Sequence, residues 1–466
     1  MTDYRRGFDD LTREIHEPDL PVEGDWPEWL SGTLIRNGPA QFSVGEQDYN
    51  HWFDGHAMLH AFRMGDGAVS YRNRFLETGS RTEALEAGEI VRSEFATDPC
   101  MSLFGRAMSL FTADATDNAS INVARLDDQY VAMTETPIPV AFDPETLETV
   151  GVVDYEDDVD AQMATAHPHV EPGTGRTLTY QTVFGRQPEY QICGIPPDEA
   201  ARTVLASLDV DEPRYMHSFG MTDRYVILSE WPIMVNPLDL LLRGQPFIEN
   251  FEWRPEQGTR FRVLRKSDGA EVARCVADAA FGFHHVNAFE RDGEIACDIV
   301  TYPDASIIDE LYLDELRSDE PSPGTGHLRR YRLPLDGGTA SSRVLSDERL
   351  ELPRIHEGAA RGRPYDTVYG IGTTDAGDFA DQLVKITVPD GAAQTWHEAG
   401  TYPGEPVFVP RPDGRGEDDG VLLSVVLDPD RDHSFLLVLD AESLAERARA
   451  TVPHAIPFGF HGQFWQ

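Results

Sequence analysis

The sequence is punctuated from end to end by short runs of β-branched, aliphatic or aromatic residues, each closed by a turn signal within about ten residues. Tyr130-Val131-Ala132-Met133 is followed by Pro139-Val140-Ala141-Phe142 ahead of Asp143-Pro144. Arg224–Leu228, Ile295–Val300, Thr367–Ile371, Gln382–Ile386, Val421–Val426 and Ser434–Leu439 repeat the pattern. This rhythm leaves little room for long helices and admits an all-β sandwich, a barrel or a propeller. Length separates them. At ~40–50 residues per four-stranded blade, 466 residues hold a multi-bladed propeller with excursions, whereas one sandwich leaves most of the chain unused. The repeat is too weak for the blades to be counted. Glycine and proline are scattered and no low-complexity linker divides the chain, so residues 1–466 are expected to form a single domain.

The charge balance is extreme, with 81 acidic residues against 39 basic ones, a net charge of −42, and lysine only at Lys266 and Lys385. Self-repulsion on this scale opposes compaction in dilute buffer, but at 1 M salt it is screened within about 3 Å. A halophilic, acidic surface suited to a salt-rich cytoplasm is the expectation, and nucleic acid is excluded as a partner. The first residues lead into acidic sequence rather than an apolar signal, and no apolar run reaches the ~18 residues of a membrane span. The expected location is therefore cytoplasmic. Cys100, Cys193, Cys275 and Cys297 are far apart with no C-x-x-C spacing, and are expected to be free thiols.

Two stretches, 100–111 and 231–248, are apolar and poor in charge within this acidic chain. They read either as loops covering the core or as an exposed greasy patch that docks on a membrane.

Several familiar catalytic signatures are absent: H-E-x-x-H, G-x-S-x-G, G-x-x-x-x-G-K-[ST], and G-x-G-x-x-G after a strand. What remains is histidine placement. The C-terminus, Pro457-Phe458-Gly459-Phe460-His461-Gly462-Gln463-Phe464-Trp465-Gln466, sets a histidine between glycines and aromatics, composed to be held where chain ends normally fray. Of fifteen histidines, His167, His217 and His284 share with His461 a setting of small or aromatic residues beside a strand-like run. Their separations of 50, 67 and 177 residues are on the scale of one blade or a few, and the inner strands of different blades converge on a propeller's axis. Neutral imidazoles suit Fe, Zn, Cu or Ni, and four around an octahedral ion leave two positions open. A ligating histidine usually donates its other ring N–H to a carboxylate. Glu135, Glu351 and Glu405 stand out as carboxylates set among apolar or turn residues.

These residues carry a family resemblance. Gly32-Thr33-Leu34-Ile35-Arg36-Asn37-Gly38-Pro39, His51-Trp52-Phe53-Asp54-Gly55, Thr134-Glu135-Thr136, Ala166-His167-Pro168-His169, His217-Ser218-Phe219-Gly220, Phe283-His284-His285-Val286-Asn287, Glu351-Leu352-Pro353-Arg354-Ile355, Glu405-Pro406-Val407-Phe408-Val409 and Phe460-His461-Gly462 occur in order along nearly the whole chain. Together they resemble the carotenoid cleavage oxygenases, the retinal pigment epithelial membrane protein family, which includes carotenoid dioxygenases, a retinoid isomerohydrolase and stilbenoid-cleaving enzymes. The resemblance implies a seven-bladed β-propeller capped by loops and short helices, with one Fe(2+) per chain on its axis. It places His167, His217, His284 and His461 at the metal-ligand positions, and Glu135, Glu351 and Glu405 at the carboxylates behind them. The adjacent His169 and His285, and the group His51, His56 and His60, are then structural.

The implied activity is cleavage of a C=C bond of a carotenoid or apocarotenoid by O2, giving aldehyde or ketone products, with no catalytic group beyond the metal centre. Stilbenoid cleavage, and non-oxidative isomerisation or hydrolysis, are the family's alternatives. Stilbenoid-cleaving relatives resemble one another in a lysine just before the first glutamate; Thr134 stands there in this chain, which favours a carotenoid or apocarotenoid. The implied partners are an apolar polyene and O2. Peripheral contact with the inner membrane face is expected, and Phe283, Phe460 and Trp231 are candidates to line the substrate tunnel.

Overall fold

The computed structural model describes residues 4–99, 115–318, 323–324, 326–374 and 379–466. The short apolar runs are strands, and they assemble into seven sheets of four or more strands, the blades of a propeller. Blade 1 is built on Gly32–Gln41, His56–Gly65 and Ala68–Phe75, and blade 2 on Asn122–Leu126, Gln129–Met133, Val140–Phe142 and Thr149–Val152. Blade 3 begins with the short strands Met163–Ala164 and His169–Val170 and continues through Thr177–Val183, Glu189–Ile195 and Thr203–Asp209. Blade 4 takes Gly220–Met221, Tyr225–Glu230, Thr259–Arg265 and Glu271–Ala277; blade 5 takes His285–Arg291, Glu294–Thr301, His327–Pro334 and Ser341–Arg349. Glu351–Arg354, Thr367–Gly372, Gln382–Thr387 and Ala392–His397 make blade 6. Blade 7 starts with Tyr402–Pro403 and Val407–Pro410 and adds Gly420–Asp428, His433–Asp440 and Glu446–Val452.

Within each blade the chain runs outward from the axis, and the first strands of several neighbouring blades touch one another. Middle strands such as Tyr225–Glu230 are buried along their whole length because both faces are covered by other blades, which is why they read as unbroken apolar runs. Outer strands lose one cover: Glu271–Ala277 alternates, and Ala392–His397 is mostly exposed. Apolar clusters fill the gaps between blades. Leu178, Tyr190 and Ile192 meet Phe219, Val226 and Leu264 between blades 3 and 4, and Leu34 and Phe62 meet Leu423 and Leu436 between blades 1 and 7. Tight hairpins at Asp66-Gly67 and Asp292-Gly293 place both residues at positive φ, the geometry that Asp-Gly supplies most cheaply.

The ring is closed by both ends of the chain. Val22–Gly24 adds to blade 7, with Val22 opposite Ala450, and Gly462–Trp465 adds to blade 1, with Thr33 opposite Trp465 and Arg36 opposite Gly462. Because Gly462–Trp465 is the axial edge of blade 1, it is the tail that delivers this blade's inner strand.

Two strand-to-strand excursions, residues 231–258 in blade 4 and 302–318 in blade 5, form a cap together with residues 49–54 and 95–97 of the N-terminal region. Ile248 N–H donates to Phe95 O (3.0 Å), Leu313 N–H to Asn50 O (2.8 Å) and Trp52 N–H to Leu311 O (3.2 Å). Trp231 belongs to the core rather than to a tunnel wall: its ring is 1% exposed and packs edge-on against Phe261. Of the two greasy stretches, 100–111 lies outside the described residues. The other is mostly buried from Trp231 to Val235, then forms a short helix, Pro237–Leu242, capped by the Asn236 side chain. Among the described residues no helix is long and apolar enough to cross a membrane, and Cys193, Cys275 and Cys297 are buried free thiols; Cys100 lies outside them.

Candidate metal centre

Each of the four histidines sits at an inner strand of a different blade. His167 lies between the two short strands that open blade 3, His217 three residues before Gly220–Met221 of blade 4, His284 immediately before His285–Arg291 of blade 5, and His461 immediately before Gly462–Trp465 of blade 1. Backbone contacts hold them there: Thr165 Oγ1 donates to His217 O (2.7 Å), Val300 N–H to His284 O (3.0 Å) and Asn37 N–H to His461 O (2.9 Å). One ring nitrogen from each histidine converges, all four within 4.8 Å of one another. His167 Nε2 is 2.8 Å from His217 Nε2, and His284 Nε2 is 3.2 Å from His461 Nε2. Four nitrogens about 2.1 Å from one ion would stand about 3 Å apart at right angles.

The three glutamates come from the blades that supply no histidine. Glu135, on a connection of blade 2, accepts from His217 Nδ1 at 2.7 Å; Glu351, opening blade 6, from His284 Nδ1 at 2.6 Å; Glu405, between the first two strands of blade 7, from His461 Nδ1 at 2.7 Å. Seven blades thus contribute seven groups. His167, half-buried, has no carboxylate against its ring among the described residues.

Each glutamate is itself held. Tyr215 donates its hydroxyl to both oxygens of Glu135 (3.0 Å each), and Tyr302 donates to Glu351 Oε1 at 2.7 Å, with Leu352 N–H on Oε2 at 2.8 Å. Burial and the neighbouring carboxylate keep both tyrosines protonated, so they remain donors. Glu405 is fully buried between two arginines: Arg36 pairs with Oε2 and Arg354 approaches Oε1 at 3.7 Å, with Gly462 N–H on Oε2 at 3.0 Å. Burial alone would raise its pKa; Arg354, His461 and Arg36 outweigh it and hold the carboxyl far below the usual range. At Glu351 burial is likewise outweighed, by His284, Tyr302 and the Leu352 N–H.

This polarity tests whether the residues fit a metal. Since Glu351 and Glu405 are ionised acceptors, His284 and His461 must each donate Nδ1–H, which leaves two bare Nε2 lone pairs facing each other across 3.2 Å. Protonating one ring would relieve the conflict, but burial, only partly offset by Glu405, lowers His461 to about 4. A cation between the lone pairs satisfies both, and carboxylate-backed imidazoles are its usual donors.

The neighbouring histidines are occupied elsewhere. His169 Nε2 donates to Phe219 O (2.8 Å) and its Nδ1 faces Arg361, while His285 is held between the hydroxyls of Ser218 (2.8 Å) and Ser229 (2.7 Å). His51 caps the Trp52–Asp54 turn, accepting from Phe53 N–H; His56 contacts Tyr49 and His60 contacts Tyr71. Arg36 and Arg354 lie inside the motifs and Tyr215 just before His217, with nothing in the sequence to give them a role, and Tyr302 lies outside every motif. For Arg36 the local signal is its place in a strand, Gly32–Gln41, that is buried over most of its length, where a guanidinium requires a buried anion.

Two apolar cavities meet at the centre. One, about 890 Å³ including its mouth, is lined by Phe283, Phe460, Phe379, Ile307 and Leu311 and reaches His217, His284 and His461. The other, about 920 Å³, runs past Phe95, Phe184, Phe247 and Met163 to His217 and Glu135, with Thr134 on its wall. Phe53 and Ile121 line both and mark their junction. A third, polar cavity approaches the histidines along a separate wall.

Fold and site together define a seven-bladed propeller with an axial four-histidine centre that can hold a metal ion beneath an apolar tunnel. The family described as retinal pigment epithelial membrane protein matches residues 8–466, and the chain belongs to that family. It is 36% identical to a mitochondrial carotenoid-cleaving dioxygenase of Macaca fascicularis, covering 95% of this chain and 91% of that one. It is 34% identical to a beta,beta-carotene 15,15'-dioxygenase of Mus musculus, covering 98% and 91%. A variant of Synechocystis apocarotenoid oxygenase superposes with a TM-score of 0.88 at 26% identity, over 99% of this chain and 98% of that one. The cobalt-substituted form of that oxygenase superposes at 0.87.

Proposed function

We propose that this protein is a non-haem Fe(II)-dependent dioxygenase that cleaves one C=C bond of a carotenoid or apocarotenoid, placing one atom of O2 on each of two carbonyl products. The metal ligands are His167, His217, His284 and His461. The observation that carries this is the pair of bare Nε2 lone pairs, fixed by ionised glutamates, on the wall of an apolar cavity that shares His217 with a second one. When bound, Fe(II) supplies the redox activation of O2 beside an alkene that Zn(II) does not.

The chain's own residues do the rest. Glu135, Glu351 and Glu405 retain the Nδ1 protons and so fix three rings as neutral donors. Phe53, Ile121, Phe283 and Phe460 exclude water and hold an extended apolar chain across the centre, so the bond cleaved is set by how far the polyene slides. No side-chain acid, base or nucleophile is called for. Carotenoid substrates are supported by the names of the relatives, and Thr134 on the cavity wall offers no cation to a phenol, which disfavours stilbenoids.

A membrane is the source of such a substrate. In the helix Pro237–Leu242, Leu240 packs against Phe184 and Phe247 of the tunnel wall, while Leu238 and Leu242 are 59% and 69% exposed. Peripheral docking through this helix would put the tunnel beside the lipid phase.

The test is incubation of iron-reconstituted protein in high salt with a panel of carotenoids and apocarotenals under 18O2, with mass identification of products. Paired carbonyl fragments bearing label are expected. Unlabelled isomer or alcohol products would assign the protein instead to non-oxidative chemistry.

A further inference from the structure

The four histidines are reached from two directions of opposite character. His217 lines only the apolar cavities, and His167 lines only the polar one; His284 and His461 are accessible from both sides. The polar cavity is a funnel of about 1530 Å³ whose walls include Asn122, Thr177, Ser218 and Gln463. Its charged groups are largely paired with one another: Arg354 lies against Glu405, Arg361 pairs with Glu357, and Arg125 donates to Asp127 O.

A hydrated dication meets its larger barrier on the apolar route. One of those cavities carries Glu94, Thr134, Glu135 and Gln162 on its wall, but Phe53 and Ile121 at the junction, with Phe283 and Phe460 in the other cavity, offer a double charge no compensating dipoles as its water is stripped. Hydroxyl, amide and paired ionic groups along the funnel can exchange hydrogen bonds with the shell as it is shed. The ligand at the end of this route also differs from the others. His217, His284 and His461 are locked by glutamates, whereas among the described residues no carboxylate holds the half-buried His167 ring, which leaves it to turn toward an arriving ion.

We propose that the funnel is the port through which a hydrated divalent metal ion enters and leaves, and that His167 is its receiving ligand. This rests on the metal reading above but not on any identity of the substrate.

The test follows uptake of Co(II) by metal-free protein in high salt, using the cobalt absorption bands in stopped flow, with release to a chelator as the reverse experiment. Gly358 lines the funnel, and a Cβ placed there meets nothing closer than the His356 ring at 3.8 Å, so Gly358→Trp narrows the port without a backbone clash. Val170→Trp, at an exposed position on the funnel's lining, is an independent block. Ile121→Trp narrows the tunnel junction instead. Both funnel variants are expected to slow uptake and release together by tenfold or more, leaving stoichiometry and melting temperature unchanged, while Ile121→Trp leaves the rates alone. Rates slowed only by Ile121→Trp, or by none of the three, would overturn the port. Failure of the wild type to bind Co(II) at all would remove the metal reading, and the port with it.

Discussion

Glu405 and Glu351 each accept from the Nδ1 of one histidine of the cluster, yet their removal should have different consequences for the fold. In Glu405→Gln the carboxylate between Arg36 and Arg354 becomes neutral, and the Arg36 guanidinium, 7% exposed, loses its counter-ion in the interior. Breaking a buried pair from one side costs about 3–5 kcal/mol. In Glu351→Gln the lost charge had faced only Tyr302, Leu352 N–H and His284, so no buried guanidinium is left without a counter-ion and the cost is about 1–2 kcal/mol. Both variants present an amide NH2 to the Nδ1 of a histidine and drive its proton to Nε2, which should weaken metal binding by about 10–100-fold. The assay is urea unfolding of the metal-free proteins at constant high salt, with Co(II) titration alongside. Similar losses of metal affinity with an unfolding gap of about 1–4 kcal/mol are expected. Equal unfolding free energies would refute the claim that Glu405 is an internal counter-ion as well as a histidine partner.

Three further outcomes are expected. Deleting residues 460–466 removes His461 and the strand paired with Thr33–Arg36, so the truncated protein should retain no stoichiometric iron and melt at a lower temperature; one that kept its metal and activity would contradict the closure described above. Ile121→Trp should cut kcat/KM for long polyenes by about tenfold or more, or shift the bond cleaved, with iron content unchanged, read by product mass and metal analysis. Burial raises Asp54 to about 7 and Glu94 to about 8. Raised carboxyls contribute stability that is complete below about pH 4 and lost as pH climbs through the folded values, so melting temperature should fall between pH 5 and 8 and Glu94→Gln should flatten the decline.

The strands and the four histidines were legible because both are written locally: an apolar run bounded by turn residues, and a histidine set immediately beside one. The blade count was not, since the excursions at 231–258 and 302–326 stretch blades 4 and 5 far beyond the others and blur any period. Pairings across the ring leave no local trace either. Arg36 meets Glu405 from 369 positions away, and Tyr215 meets Glu135 from 80. Trp231 shows the limit of composition: an aromatic near the motifs was a fair candidate for a tunnel wall, and its place between Phe261 and Phe281 is fixed by packing that no motif encodes. The glutamates were marked by their apolar or turn settings, but only the family pattern gave them a role, because each is one of 81 acidic residues.

That every blade supplies one group to the centre has a bearing on how such a protein can diverge. Propellers as a class range over roughly four to eight blades, a variation easily reached by duplicating or losing a repeat. Here a gained or lost blade would turn His284 away from His461, or part a glutamate from its imidazole, at a single step. Lineages built on this centre are confined to changing what hangs on the blades: the loops, the cap and the lining of the tunnel. Diversity of substrate and constancy of the ring are then two results of one geometric constraint.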